Sequence, residues 1–316
     1  MQEQSVREQQ GVRLVEVDQE QAGQRLDNFL LARLKGVPRS RVYRIVRSGE
    51  VRVNSSRARP DQRLQAGDRV RVPPVRLAER TSAEPGVGLV QTLAARILYE
   101  DAALLVVDKP SGLAVHGGSG LSLGLIEALR AMRPDCRSLE LVHRLDRDTS
   151  GCVMIAKKRS MLRHLHEALR QGTITKTYTT LVQGRWPKRL LRVAVALEKN
   201  TVRGGERVVR ADEAGKASET RFRVLEVYRD ATLLEAQPVT GRTHQIRVHA
   251  QVSGHPVAGD EKYGEREFNR QMREFGLRRL FLHASSIELR LPDGQPLVVS
   301  APLDAALARL LESLPR

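Results

Sequence analysis

The run His143-Arg144-Leu145-Asp146-Arg147-Asp148-Thr149-Ser150-Gly151 follows directly on the apolar stretch Leu139-Glu140-Leu141-Val142. Within these nine residues stand two carboxylates, two guanidiniums and an imidazole. A strand feeding a loop so dense in charge reads as an active site, because neighbouring charges tune one another and an aspartate beside an arginine is held ionised. Asp146 is then a carboxylate at neutral pH, available as a nucleophile. The plainer reading of the same residues is a surface loop whose Asp and Arg pair with each other. The rest of the chain has to decide between them.

At 316 residues and 41% hydrophobic content the chain can bury a substantial core, and its length predicts two domains. No apolar run approaches the roughly 18 residues needed to span a bilayer. Met1 to Gln10 is polar and mixed in charge, unlike a signal peptide, so the expected compartment is the cytoplasm. Cys136 and Cys152 form neither a disulfide framework nor a Cys-x-x-Cys metal pair. His164-x-His166 and the pair His244 and His249 lack the His-Glu-x-x-His pattern, so no metal is expected. A net charge of +16 implies an anionic partner, with nucleic acid ahead of a membrane surface.

That charge is concentrated. Gly23 to Val75 carries 13 Lys and Arg against 4 Asp and Glu, a net +9 in one sixth of the chain. Leu26, Phe29, Leu30 and Leu34 recur at helical spacing, and Gly36 and Pro38 break that helix. A second helix is predicted from about Ser40, burying Val42, Ile45 and Val46 while Arg41, Arg44 and Arg47 recur three apart on another face. Guanidiniums in such a row suit a phosphate track. Val51-Arg52-Val53 then alternates like a strand into an Asn54-Ser55 turn, and Arg69-Val70-Arg71-Val72 supplies another strand.

The segment 76–95, with Glu84-Pro85-Gly86-Val87-Gly88, shows little periodic hydrophobicity and is expected to be a linker. The predicted organisation is an arm over 1–22, a basic module over 23–75, this linker, and a second domain over 96–316. The second domain alternates strand-like runs with fewer helices, predicting an α+β fold with a mixed or antiparallel sheet flanked by helices. His116-Gly117-Gly118-Ser119-Gly120 lacks the Gly-Lys-Ser/Thr ending of a phosphate-binding loop.

Two resemblances sharpen these expectations. The two helices and small hairpin of the basic module resemble the alpha-L RNA-binding module named after ribosomal small-subunit protein four. The nine-residue run resembles the signature of the RluA-type RNA pseudouridine synthases. Lys176-Thr177-Tyr178 is similar to that family's tyrosine motif, Gly241-Arg242-Thr243-His244-Gln245-Ile246-Arg247-Val248-His249 to its arginine motif, and Leu280-Phe281-Leu282-His283-Ala284 to its C-terminal motif. Singly, each segment has a duller reading as packing or solvated charge; four in order are hard to obtain by chance. Together with Leu34-Lys35-Gly36-Val37-Pro38 and Tyr263-Gly264-Glu265-Arg266-Glu267-Phe268, they resemble the bacterial branch of the family that acts on large-subunit ribosomal RNA.

The resemblance implies that Asp146 is the nucleophile, Arg247 its partner, and Tyr178 a ring that stacks on uracil and helps to move a proton. Leu282 is implied to pack against the target base. Arg39, Arg41, Arg44, Arg47, Arg52, His143, Arg144, Arg147 and Arg242 are the expected RNA contacts, although His143 serves equally as a packed structural residue. The expected partner is large-subunit ribosomal RNA, free or within an assembly intermediate, handled by a monomer without cofactor or metal. Attack at uracil carbon six or at the ribose anomeric carbon fits the sequence equally. Two other readings share the basic module: a non-catalytic ribosome assembly factor, and a synthase acting on transfer RNA or on other ribosomal sites.

Overall fold

The computed structural model describes residues 11–19, 21–34, 37, 39–74, 85–117, 123–136, 138–201 and 207–316. The helix-breaking Gly36 and Pro38, the first half of the expected linker, and Gly118-Ser119-Gly120 lie outside these residues. The chain divides into two compact units, Met1–Ser82 and Ala83–Arg316.

The first unit runs β1 (Arg13–Glu16), α1 (Leu26–Arg33), α2 (Arg39–Arg47), β2 (Arg52–Val53), β3 (Ser56–Arg57) and β4 (Arg69–Val72). Its four strands lie in the order β1-β4-β2-β3. The alternation in Val51 to Val53 and Arg69 to Val72 points the valines inward, onto Leu26, Phe29 and Leu30 of α1 and Val42, Ile45 and Val46 of α2. Asn54 and Ser55, both at positive φ, make the two-residue turn that joins β2 to β3. Asp27 ties the helices together: buried in α1, it accepts from Arg25 Nη2 at 2.8 Å and from Tyr43 Oη of α2 at 2.7 Å. The Arg25 bond first of all, against the opposing effect of burial, brings its pKa down to about 2. The expected arm is partly structured, because Arg13–Glu16 pairs with β4 along its whole length.

The second unit opens with α3 (Val87–Ala94), inside the segment read as a linker. Leu93 is fully buried in this unit's core, with Leu89 packed beside it. Glycines at 86 and 88 mask the helical spacing of these leucines, which is why the stretch reads as a loop. Then come β5 (Ile97–Glu100), β6 (Leu104–Lys109), α4 (Leu125–Met132), β7 (Glu140–Leu141), β8 (Ser150–Ala156), α5 (Arg159–Gln171) and β9 (Thr175–Gln183). The chain continues through β10 (Arg192–Ala194), β11 (Leu197–Thr201), β12 (Arg207–Ala211), β13 (Glu219–Val227), β14 (Ala231–Pro238), α6 (Gln245–Val252), α7 (Arg266–Glu274), β15 (Leu282–Arg290), β16 (Pro296–Ser300) and α8 (Ala305–Ser313).

Ten of these strands form one sheet, ordered β10-β13-β14-β9-β15-β8-β6-β5, with β16 beside β15 and β7 beside β8. β11 and β12 form a separate hairpin. β6 and β8 are buried at every position, as befits central strands covered on both faces. Among the described residues all pairings are antiparallel except the short parallel contact between β8 and β15, where Ser150 faces His283 and Gly151 faces Ala284. This join brings the end of the nine-residue run against the C-terminal motif.

The join has no room for a side chain at its closest point. Gly151 has a φ of 104°, and a Cβ there would fall 2.2 Å from the Ala284 carbonyl oxygen. Gly151→Ala is expected to lose about 3 kcal/mol or more of stability through combined backbone strain and steric displacement, measured by urea unfolding.

Candidate active site

Asp146 sits in the loop between β7 and β8, and that loop is held from both sides. On one side is the turn after β6: the Lys109 Nζ, fully buried, donates to the carbonyls of Pro110 (2.9 Å), Leu113 (2.8 Å) and Arg147 (2.9 Å). Burial pulls the Lys109 pKa down to about 7, while three carbonyls match the three N–H groups of the ammonium. Gly112 N–H also donates to Arg147 O at 2.9 Å, and Ser111 Oγ to Asp148 O at 2.7 Å. On the other side the Met154 N–H of β8 donates to His143 Nε2 at 3.1 Å. Burial, reinforced by the nearby Lys176, lowers the His143 pKa to about 3, so this ring is a neutral anchor.

Held in this way, Asp146 lines a cleft of about 640 Å³ with its side chain 20% exposed. Its Oδ2 lies 3.7 Å from Arg247 Nη1 and 3.8 Å from His244 Nε2. Both distances exceed a hydrogen bond, so the carboxylate is flanked by donors without being tied to either. The arginines next to it in sequence play no such part, since Arg147 turns to Asp148 at 3.1 Å and Arg144 is exposed.

Arg247 is only 7% exposed and has a second carboxylate. Its Nε and Nη2 donate in parallel to Asp260, at 2.7 and 2.8 Å, leaving Nη1 as the group nearest Asp146. Asp260 is buried, which alone raises a carboxyl pKa; the Arg247 pair and the backbone N–H groups of Tyr263 and Lys262 outweigh that and hold it below its ordinary value. The turn that carries it needs Gly259, whose φ is 72° and where a Cβ would meet Arg279 O at 2.1 Å.

His244 caps α6 in the left-handed region, with φ at 54°. Its Nδ1 is 2.7 Å from Tyr263 Oη, which accepts at 2.9 Å from the Val209 N–H of β12. With that N–H received, the tautomer that lets the phenol donate to Nδ1 places the imidazole proton on Nε2, toward Asp146. Burial, with help from Arg247 and Lys262, lowers the His244 pKa against the pull of Asp146, so the ring is neutral.

The apolar wall of the cleft comes from the sheet. Leu282 of β15 lies opposite Thr180 of β9, and Tyr178, two residues along, shares that face. Tyr178 is 8% exposed and Leu282 4%. Burial first, and the Asp146 charge next, push the Tyr178 phenol well above its ordinary pKa. Lys176, on the same face, also lines the cleft, as does the exposed Arg242, whose Nε donates to Ala217 O at 3.2 Å.

In the first unit Arg39 opens α2, and Arg41, Arg44 and Arg47 are exposed while Val42, Ile45 and Val46 are buried. Arg52 stands between Arg57 on β3 and Arg71 on β4, its direct cross-strand neighbours. Each of these three guanidiniums donates to a backbone carbonyl, Ser55, Arg47 and Glu50 respectively. Like charges directly opposed across a sheet repel, so such a row favours an anion laid over it.

The expected residues Asp146, Arg247, Tyr178 and Leu282 therefore meet in one cleft. Sequence reasoning missed Asp260, His244, Lys109, Arg57 and Arg71. His244 had a usable signal, lying inside the quoted arginine motif as the polar residue next to a helix start. Among the described residues no group of three or more His, Cys, Asp or Glu could hold a metal ion.

Lys109→Met strands three carbonyls and is expected to cost about 2–4 kcal/mol in urea unfolding. His143 provides a test against pH. Its folded pKa lies below its unfolded one, so its contribution is complete above about 6.5 and is lost as pH falls toward about 3. His143→Gln, which keeps an acceptor without a titrating ring, is expected to flatten that part of the melting-temperature profile.

The RNA pseudouridylate synthase family model matches residues 103–252, and the S4 domain model matches residues 24–70. The ribosomal large subunit pseudouridine synthase C of Pasteurella multocida is 56% identical over 308 residues, covering 96% of this chain and 94% of that protein. The protein of the same name from Escherichia coli K12 is 55% identical over 308 residues, covering 96% and 97%. Among solved structures, human RNA Pseudouridylate Synthase Domain Containing 4 aligns with a TM-score of 0.59 at 25% identity, covering 72% of this chain and 98% of that one. Human RNA Pseudouridylate Synthase Domain Containing 1 aligns at 0.56 and 28% identity, covering 73% and 98%. With the catalytic-type cleft in one unit and the S4 module in the other, the chain belongs to the RluA-type RNA pseudouridine synthases.

Proposed function

We propose that this enzyme converts chosen uridines of large-subunit ribosomal RNA to pseudouridine, with Asp146 as the nucleophile. The observation that carries the reading is the Asp146 carboxylate, flanked by Arg247 and His244 but bonded to neither, in a cleft walled by Tyr178 and Leu282. The relatives' names supply the substrate class, and ribosomal RNA as substrate implies the cytoplasm.

The reaction breaks the bond from uracil nitrogen one to the ribose and forms one from carbon five to the same ribose carbon. Carbon five loses a proton, nitrogen one gains one, and no electrons are transferred, so no cofactor is called for. Asp146 either adds to carbon six or attacks the anomeric carbon, and the unbonded carboxylate suits both. Arg247 balances its charge, and Asp260 fixes the guanidinium that does so. Tyr178 meets the uracil as a neutral phenol, so the carbon-five proton passes through it only if its own proton leaves at the same time. The nucleotide must leave its stack to reach the cleft, at a cost of a few kcal/mol. Few aromatics are available for base stacking in the basic unit, and its arginines suit backbone contacts that share this cost.

Release of tritium from carbon-five-labelled uridine in unmodified large-subunit RNA tests the assignment. Wild type is expected to turn over, and Asp146→Asn to fall by about 1,000-fold or more with RNA affinity preserved; equal release by both ends the proposal. Asp260→Asn removes half of the fork that aims Arg247, and turnover per folded molecule is expected to drop about 10- to 100-fold. Replacing Arg52 and Arg71 by alanine should reduce the slope of log affinity against log salt by about 2, with turnover at saturating RNA unchanged.

A further inference from the structure

Two lysines stand close to the cleft, and they are treated differently by the fold. Lys109 has a carbonyl for each of its three N–H groups. Lys176 lies in β9, two residues before Tyr178, and lines the cleft on the same face. Among the described residues its ammonium has no hydrogen-bond acceptor and no carboxylate partner. Burial lowers its pKa, and no anion opposes that shift. A cation partly withdrawn from water, as this half-buried ammonium is, gains from a counter-charge beside it.

From this contrast we propose that Lys176 is a phosphate-binding residue, its missing counter-charge being a phosphodiester that flanks the flipped nucleotide. The assignment rests on RNA being the substrate. Each nucleotide of RNA carries one formal negative charge, and it lies on the phosphate. Position agrees: β9 starts at the exposed Thr175, so Lys176 is nearer the mouth of the cleft than Tyr178, by about 6.6 Å of strand. A base seated against Tyr178 and Leu282 sends its backbone toward that mouth. The Lys176 Nζ lies beside the Gly241 turn, 3.8 Å from where a Cβ would stand there, and the exposed Arg242 and Arg144 line the same cleft. Among the described residues neither arginine has a carboxylate partner, so this corner collects three cations around one opening. A uracil carbonyl is the weaker candidate, because it is a neutral acceptor and leaves the ammonium's charge uncompensated.

The test uses full-length protein and short RNA substrates in which one of the two linkages flanking the target uridine is a neutral methylphosphonate. Single-turnover tritium release is compared for wild type, Lys176→Met and Lys176→Arg. Lys176→Met should lose about 10-fold or more on natural RNA, and Lys176→Arg should recover most of it. For one of the two linkages, the neutral substitution should slow wild type by a similar factor and slow Lys176→Met little further. The Lys176→Met protein should melt no lower than wild type, since it removes an unpaired half-buried charge rather than a support. Turnover by Lys176→Met equal to wild type, losses that multiply at both linkages, or a markedly lower melting temperature each overturn the assignment. No turnover by wild type on natural RNA overturns the substrate reading, and this assignment falls with it.

Discussion

Arg247 is a buried guanidinium shared unequally between two carboxylates. Asp260 takes two of its nitrogens in a planar fork, and that fork fixes where the third nitrogen lies. What reaches Asp146 is the remainder, a charge at 3.7 Å without a bond. Were Asp260 absent, nothing in the fork would hold the guanidinium back from pairing directly with Asp146. The buried pair therefore keeps a cation close to the Asp146 carboxylate without a hydrogen bond between them.

The other half of the arrangement is rigidity of the loop that carries Asp146. Lys109, Ser111 and Gly112 grip its backbone carbonyls, and β8 takes His143 through a backbone N–H. None of these contacts uses the Asp146 side chain. Positioning is thus done through the main chain, leaving the carboxylate with loose neighbours only. On the opposite side His244 is held by Tyr263, which is itself held by the Val209 N–H of the β11–β12 hairpin. Each group facing Asp146 is fixed by a partner that turns away from it.

Much of this was legible before any coordinates, for physical reasons that differ by residue. Asp146, Tyr178, Arg247 and Leu282 lie in dense motifs, and alternation or helical spacing identified most of the strands and helices that carry them. Asp260 was not legible, because one acid between Gly259 and Glu261 has no periodicity to mark it, and its burial comes from α7 and the Gly259 turn. The helix Val87–Ala94 was hidden by two glycines, and the strand Arg13–Glu16 by the polar sequence on either side of it. The β11–β12 hairpin, rich in charge, follows no simple inside-outside pattern, yet its backbone supports the imidazole. Lys176 stood in a quoted motif, but only its lack of partners in the folded chain sets it apart from a solvated lysine.

The parallel contact between Ser150 and His283 has a consequence for how the molecule comes into being. The hydroxyl of Ser150 and the ring of His283 meet across 133 positions of sequence, so the strand that closes the middle of the sheet is among the last to leave the ribosome. Until it arrives, β9 presents an open edge and β8 an edge covered only in part by β7, surfaces on which stray strands can pair. Contacts this distant in sequence also form slowly. A nascent or truncated chain ending before Leu282 thus has no complete cleft, and holds its most adhesive surfaces uncovered while it waits.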